Sequence, residues 1–210
     1  MDFTAARRAM VDSQLRPQAV TDPLLVAAMA SVPREEFVPE EARAIAYIDR
    51  IVPIAPGRGL SPPASLGRML VELAPRPGEL ALVVGAGSGY SAAVLAEVGC
   101  AVVAVESEPA LAARLRMLSA VKAVEGPLEQ GAPGEGPFDL ILVDGQVEDL
   151  PDALVEQLKV GGRLGACLVR DGVPRLMAGT RTAHGFGLKT FADSSMAPLP
   201  GFARPRVFTF

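Results

Sequence analysis

Glu79-Leu80-Ala81-Leu82-Val83-Val84-Gly85-Ala86-Gly87-Ser88-Gly89-Tyr90 is the stretch whose reading decides the fold. An apolar run ends in three glycines at alternate positions, and an alanine-rich segment of helical character follows, so the spacing predicts strand, tight turn and helix. Glycine lets the turn backbone approach a ligand closely, and the helix that starts there points unpaired N–H groups at it. A nucleotide-like small molecule suits such a turn. A dinucleotide fingerprint requires G-x-G-x-x-G, and here the third glycine falls one residue early, with Tyr90 in the required place, which argues against NAD.

Downstream, Ala101-Val102-Val103-Ala104-Val105 reads as the next strand and ends at Glu106. A carboxylate there can accept hydrogen bonds from both hydroxyls of a ribose. The G-x-G-x-G turn followed by that acid resembles the S-adenosylmethionine site of Rossmann-like methyltransferases. Further along, Phe138–Val143 is a buried strand ending at Asp144, Pro151–Leu158 a helix closed by Gly161-Gly162, and Arg163–Val169 another strand. Strands alternating with helices at this interval predict an α/β fold with a mostly parallel central sheet and helices on both faces. Ligands bind beyond the carboxyl ends of such strands, which gathers Gly85–Gly89, Glu106 and Asp144 at one rim.

Upstream, residues 3–16 look helical and amphipathic, and a second helix is marked by Thr21 or Asp22 as cap and Pro23 at its first position. Ile51–Pro63, rich in Pro and Gly, reads as an irregular loop, and Ala64–Leu73 as a helix. Past Asp171 the pattern weakens into a hairpin over Arg175–Thr182 and Gly187–Asp193 and a terminal edge strand over Arg206–Phe210. The expectation is one domain: 1–75 a helical, substrate-side segment, 76–170 the cofactor-binding core, 171–210 the closing strands.

The chain has 210 residues, 50% of them hydrophobic, enough for a substantial core. With 21% charged residues and a net charge of −4 there is no basic stripe, so nucleic acid is not an expected partner. The first residues lack an apolar signal run, and the weakly polar stretch Ser91–Val105 is broken by Glu97, so neither secretion nor membrane insertion is expected and a cytoplasmic location follows. Cys100 and Cys167 sit in apolar strand contexts as buried small hydrophobes, and His184 lies in a turn. No metal site is expected from these residues.

Nearly the whole chain resembles the protein-L-isoaspartate O-methyltransferase family. The resemblance runs through Met10–Leu15, Val20-Thr21-Asp22 and Val32-Pro33-Arg34-Glu35-Glu36-Phe37-Val38-Pro39, then the turn Gly85–Tyr90, Leu154–Leu164 and Pro198-Leu199. The proline-rich N-terminal motif is the most specific part, since generic methyltransferases lack it. The family's G-x-T-I-S-x-P substrate motif stands as Gly57-Arg58-Gly59-Leu60-Ser61-Pro62-Pro63, which assigns Ser61 the hydroxyl beside acceptor carboxylate and methyl group. The resemblance implies S-adenosyl-L-methionine as cofactor, held by Gly85, Ala86, Gly87, Ser88, Gly89, Tyr90, Glu106, Gly126 and Asp144. It implies protein or peptide substrates bearing isoaspartyl residues. Four positions depart from the family pattern: Gly59 for threonine, Val83 for an acid, Pro127 for an aspartate and Asp144 for a small residue. Val83 and Pro127 imply weaker cofactor binding, Gly59 and Asp144 an altered acceptor.

Methylating a carboxylate needs no general base, because a free carboxyl with a pKa of ~3.5–4 is already ionised at neutral pH. The protein must align the reactants and exclude water. Ser61 has two readings, orienting the acceptor or capping the helix that begins near Ala64. Asp144 also has two: a strand-end acid capping the turn at Gly145, or a divalent-metal ligand helped by Glu148 or Asp149, as in some other O-methyltransferases. Alternatives to an isoaspartyl methyltransferase are a family member without catalysis that serves as a binding or regulatory protein, and a small-molecule O-methyltransferase.

Overall fold

A computed structural model describes residues 1–204, and the edge strand expected over Arg206–Phe210 lies outside the described residues. At the N-terminus, Asp2 caps α1 (Phe3–Met10) by accepting from Ala5 N at 3.0 Å. The helix widens through Val11–Leu15 and stops where Ala19 turns left-handed at φ +62°. In α2 (Pro23–Ser31) the cap is Asp22, whose Oδ1 accepts from Leu24 N and Leu25 N at 2.9 and 3.0 Å, with Pro23 at the first position. Two short 3-10 turns, Arg34–Phe37 and Glu40–Ile45, lead toward the core.

The segment Ile51–Pro63 is not an irregular loop. It forms an antiparallel hairpin, β1 (Val52–Ala55) and β2 (Arg58–Leu60), turned by Pro56-Gly57 with Gly57 at φ +69°. Proline then a residue with positive φ is the arrangement of a type II turn. The strands are too short for alternation to register in the sequence. The hairpin runs straight into α3 (Pro63–Leu73).

Then β3 (Leu80–Val84), α4 (Tyr90–Val98), β4 (Ala101–Glu106), α5 (Pro109–Leu115), β5 (Val121–Glu125), β6 (Phe138–Val147), α6 (Asp152–Glu156), β7 (Leu158–Arg170), β8 (Val173–Thr180) and β9 (Lys189–Asp193) follow. The sheet order is β5-β4-β3-β6-β7-β8-β9, parallel from β5 to β7 and antiparallel from β7 to β9. The expected helix Pro151–Leu158 is shorter, and Gly161-Gly162 sits inside β7 instead of closing a helix. Leu158 is already paired with Phe138, and Phe138 N donates to Gln157 O at 2.8 Å, which pulls the chain into the sheet early. Asp144 is likewise not at a strand end: β6 continues to Val147 across a register shift between Leu142 and Gln146.

Alternate residues of the central strands face opposite layers, the period of two that a strand dictates. Ala81, Val83, Val102, Ala104, Leu140 and Leu142 pack against Leu25, Met29, Leu66, Met69, Leu70 and Leu95. Leu82, Val84, Val103, Val105, Ile141, Val143, Leu164 and Ala166 pack with Leu154, Leu158 and Phe202. Each fully buried Leu or Val contributes roughly 1.5–3 kcal/mol of apolar burial, which fixes the strand ends that carry the polar residues. No helix among the described residues is long and apolar enough to cross a membrane.

Candidate functional site

At the end of β3 the chain turns through Gly85, Gly87 and Gly89 at φ +74°, +57° and +99° and enters α4 at Tyr90. An L side chain is strained in that region. Space is also short, since a Cβ on Gly89 would lie 2.5 Å from Leu118 Cδ1 and one on Gly85 2.6 Å from Leu199 Cδ2. Gly85 N and Ala86 N both donate to Val105 O, at 3.0 and 3.2 Å, which ties the turn to β4. Ser88 Oγ donates to Phe37 O. The Tyr90 side chain points into the core: it is fully buried, edge-on to Phe37 at 5.6 Å, with the Arg34 guanidinium 4.8 Å from its ring centre. Only its backbone belongs to the turn.

Glu106 is fully buried at the end of β4. Its Oε2 accepts from Gly87 N at 2.8 Å, and its Oε1 from Ser107 N and Glu108 N at 2.9 and 3.0 Å. Arg58 of β2 completes the set: Nη1 donates to Oε1, and Nη2 to Oε2 at 2.8 Å and to Gly85 O at 3.3 Å. Sequence reasoning passed over Arg58, which stood only at the variable position of a motif; its adjacency to a turn glycine was the one signal on offer. Gly126 follows β5 beside this site, donating its N–H to Glu106 O at 3.1 Å. Val83, by contrast, is wholly inside the core and does not reach the rim.

Ser61 follows β2 and is 3% exposed, its Oγ accepting from Ala197 N at 3.3 Å. Of its two readings, helix capping fails, because the cap of α3 comes from Asp49, whose Oδ1 accepts from Ala64 N at 3.0 Å. Behind Ser61 lies Arg34, fully buried, donating from Nη2 to Ser61 O and from Nε to Ala46 O, each at 2.7 Å. Burial pulls its pKa down from the ordinary arginine value.

Asp144 completes this side. Burial pushes its carboxyl above the usual range, against the opposing pull of Ser91, Arg34, Arg58 and Ser61. Its Oδ1 makes no hydrogen bond, and neither do Ser91 Oγ, Tyr90 OH or Arg34 Nη1. Unpartnered buried polar atoms are costly, and their grouping beside Ser61 makes this a candidate site. Neither sequence reading of Asp144 describes its surroundings. Asp144-Gly145 is a bulge beneath the C-terminal segment, where a Cβ on Gly145 would meet Ala197 O at 2.6 Å. For the metal reading, no three His, Cys, Asp or Glu side chains gather among the described residues, and Glu148 is engaged by Arg204 N at 2.9 Å.

These groups suit an adenosyl sulfonium donor. An acceptor-only carboxylate stands at the tip of β4 for a sugar diol, and a glycine turn lies beside it with its N–H groups and carbonyls. The fit requires the diol to take the place of the Arg58 guanidinium. Clefts of about 510 Å³ beside Gln130, Pro137 and Gln157 and of about 520 Å³ beside Pro39, Ile45 and Ile54 also open on the surface.

A family model described as protein-L-isoaspartate(D-aspartate) O-methyltransferase matches residues 5–184. A protein-L-isoaspartate O-methyltransferase of Methylorubrum populi is 42% identical over 93% of this chain and 95% of its own. One of Gloeobacter violaceus is 44% identical over 74% of this chain and 78% of its own. Among solved structures, a protein-L-isoaspartate O-methyltransferase superposes with a TM-score of 0.81 at 21% identity, covering 93% of this chain and 66% of the other. A Plasmodium falciparum protein named for the same activity, solved with S-adenosyl-L-homocysteine, gives 0.78 at 24% identity, covering 92% and 97%. The fold is therefore that of the Rossmann-like methyltransferases.

Proposed function

The chain belongs to the protein-L-isoaspartate(D-aspartate) O-methyltransferase family, and from that premise we propose that it transfers a methyl group from S-adenosyl-L-methionine to the free carboxylate of L-isoaspartyl residues in damaged proteins or peptides. The observation that supports this reading is the meeting of the Gly85–Gly89 turn with Glu106 at the carboxyl ends of β3 and β4, bridged by Arg58 on the hairpin that leads to Ser61. The donor supplies an electrophilic methyl on a sulfonium. Glu106 holds its sugar, and the turn amides and carbonyls receive the rest. Ser61 orients the acceptor carboxylate, which needs no deprotonation. Burial around Arg34, Tyr90 and Ser61 keeps water from competing, and alignment of this kind lowers a bimolecular barrier by roughly 7–11 kcal/mol.

Incubation with labelled donor and an isoaspartyl peptide tests the reading: a methyl ester forms on that peptide and not on its aspartyl isomer. Equal labelling of both isomers, or of neither, overturns it. Asp144 favours a second reading. A buried acid beside Ser61 suits an acceptor whose nucleophile must lose a proton, as in a small-molecule O-methyltransferase, and small hydroxyl acceptors in the same assay separate the two.

A further inference from the structure

Glu106 accepts from five donors: three backbone N–H groups and both terminal nitrogens of Arg58. A carboxylate offers about four lone-pair sites, so no capacity is left for a sugar diol. The N–H groups of Gly87, Ser107 and Glu108 are fixed by the turn and by α5; the other two donors belong to the one guanidinium, which is carried on the β1–β2 hairpin. Arg58 also takes Gly85 O, so one cation spans both acceptors on the turn side. The hairpin that carries it presses on the same turn, with Ile54 Cδ1 2.8 Å from where a Cβ on Gly87 would stand.

Resting on the cofactor reading above, we propose that Arg58 is an internal competitor for the sugar site, and that cofactor binding requires the β1–β2 hairpin to lift its guanidinium off Glu106. The ion pair is bidentate and desolvated, the side chains being 6% and 0% exposed, so it is not loosened by salt or water as a surface pair would be. The hairpin continues directly into Ser61, so releasing Arg58 displaces the segment that positions the acceptor. Donor entry and rearrangement of the acceptor side thus become one event. The apparent affinity for the cofactor is reduced by the fraction of molecules in which Arg58 is bonded to Glu106.

Calorimetric titration of S-adenosyl-L-homocysteine into the full chain and its R58Q and R58K variants tests this, with circular dichroism as a check of folding. R58Q removes the charge and is expected to bind roughly tenfold tighter, with a faster association rate in stopped flow. R58K keeps the charge but cannot pair with both oxygens, and is expected to shift the same way by less; it carries the test alone if R58Q does not fold. Equal or weaker binding by the variants, with the wild type binding, overturns the role of Arg58 and leaves the cofactor reading standing. No binding by any of the three overturns both.

Discussion

The Ser61 hydroxyl accepts a hydrogen bond from Ala197 N. Ser61→Ala orphans a buried N–H and is expected to cost about 1–3 kcal/mol of stability, read as a lower urea midpoint. Affinity for S-adenosyl-L-homocysteine stays unchanged, while turnover falls by roughly 100-fold because the acceptor is no longer aligned. Asp144 gives a pH signature instead. Its folded pKa lies above that of the unfolded chain, so the native state holds the extra proton between the two values. Stability falls there as pH rises, and the loss is complete above the raised value. Asp144→Asn removes this dependence: urea midpoints of the two proteins should diverge as pH rises from the ordinary carboxylate range, with the variant the more stable at neutral pH.

The β1–β2 hairpin is the element on which the site turns. It is short, and two-stranded ribbons of this size are marginal without a packing partner; here Arg58 and Ile54 hold it over the glycine turn, and Leu60 is buried. Gly57, exposed and at φ +69°, has nothing around it that a methyl would strike. Gly57→Ala is therefore a pure backbone test, expected to cost about 1–2 kcal/mol through left-handed strain alone, measured by thermal unfolding. Reading this element from the sequence failed for a definite reason. Four prolines and two glycines in thirteen residues look like a connector, and the pairing that makes them strands becomes visible only once Val52 lies opposite Leu60.

Across the molecule, hairpin, sheet and C-terminal segment share buried contacts: Ser61 with Ala197, Gly145 with Leu199, and Gln146 paired on both sides of Pro198. We propose that the chain unfolds as one domain. Urea transitions followed by circular dichroism and by tyrosine fluorescence should then coincide, and separated midpoints would contradict it. A ligand held between β3, β4 and the hairpin should stabilise that whole unit. With S-adenosyl-L-homocysteine at about 100 times its Kd, roughly 2.7 kcal/mol of added stability is expected, seen as a rise in Tm of about 5–10 °C.

The sequence by itself determined the parallel core, because apolar runs, cap residues and the alternate glycines are local signals that strand and helix geometry read directly. It marked Glu106 for the same reason, as the acid at a strand's tip, whereas Ser61 was marked by the resemblance of Gly57–Pro63 to a family motif. The tertiary structure alone decided what those residues touch. Whether Ser61 caps a helix depended on Asp49, fifteen residues from Ala64 and brought to it by folding. That Asp144 lies in a bulge followed from Gln146 resuming its pairing with Cys167 and the C-terminal segment. That Arg58 competes for Glu106 followed from a hairpin folding across a turn formed elsewhere in the chain. Such contacts join groups far apart in sequence, and their energies depend on burial and distance, which no local pattern of residue types encodes.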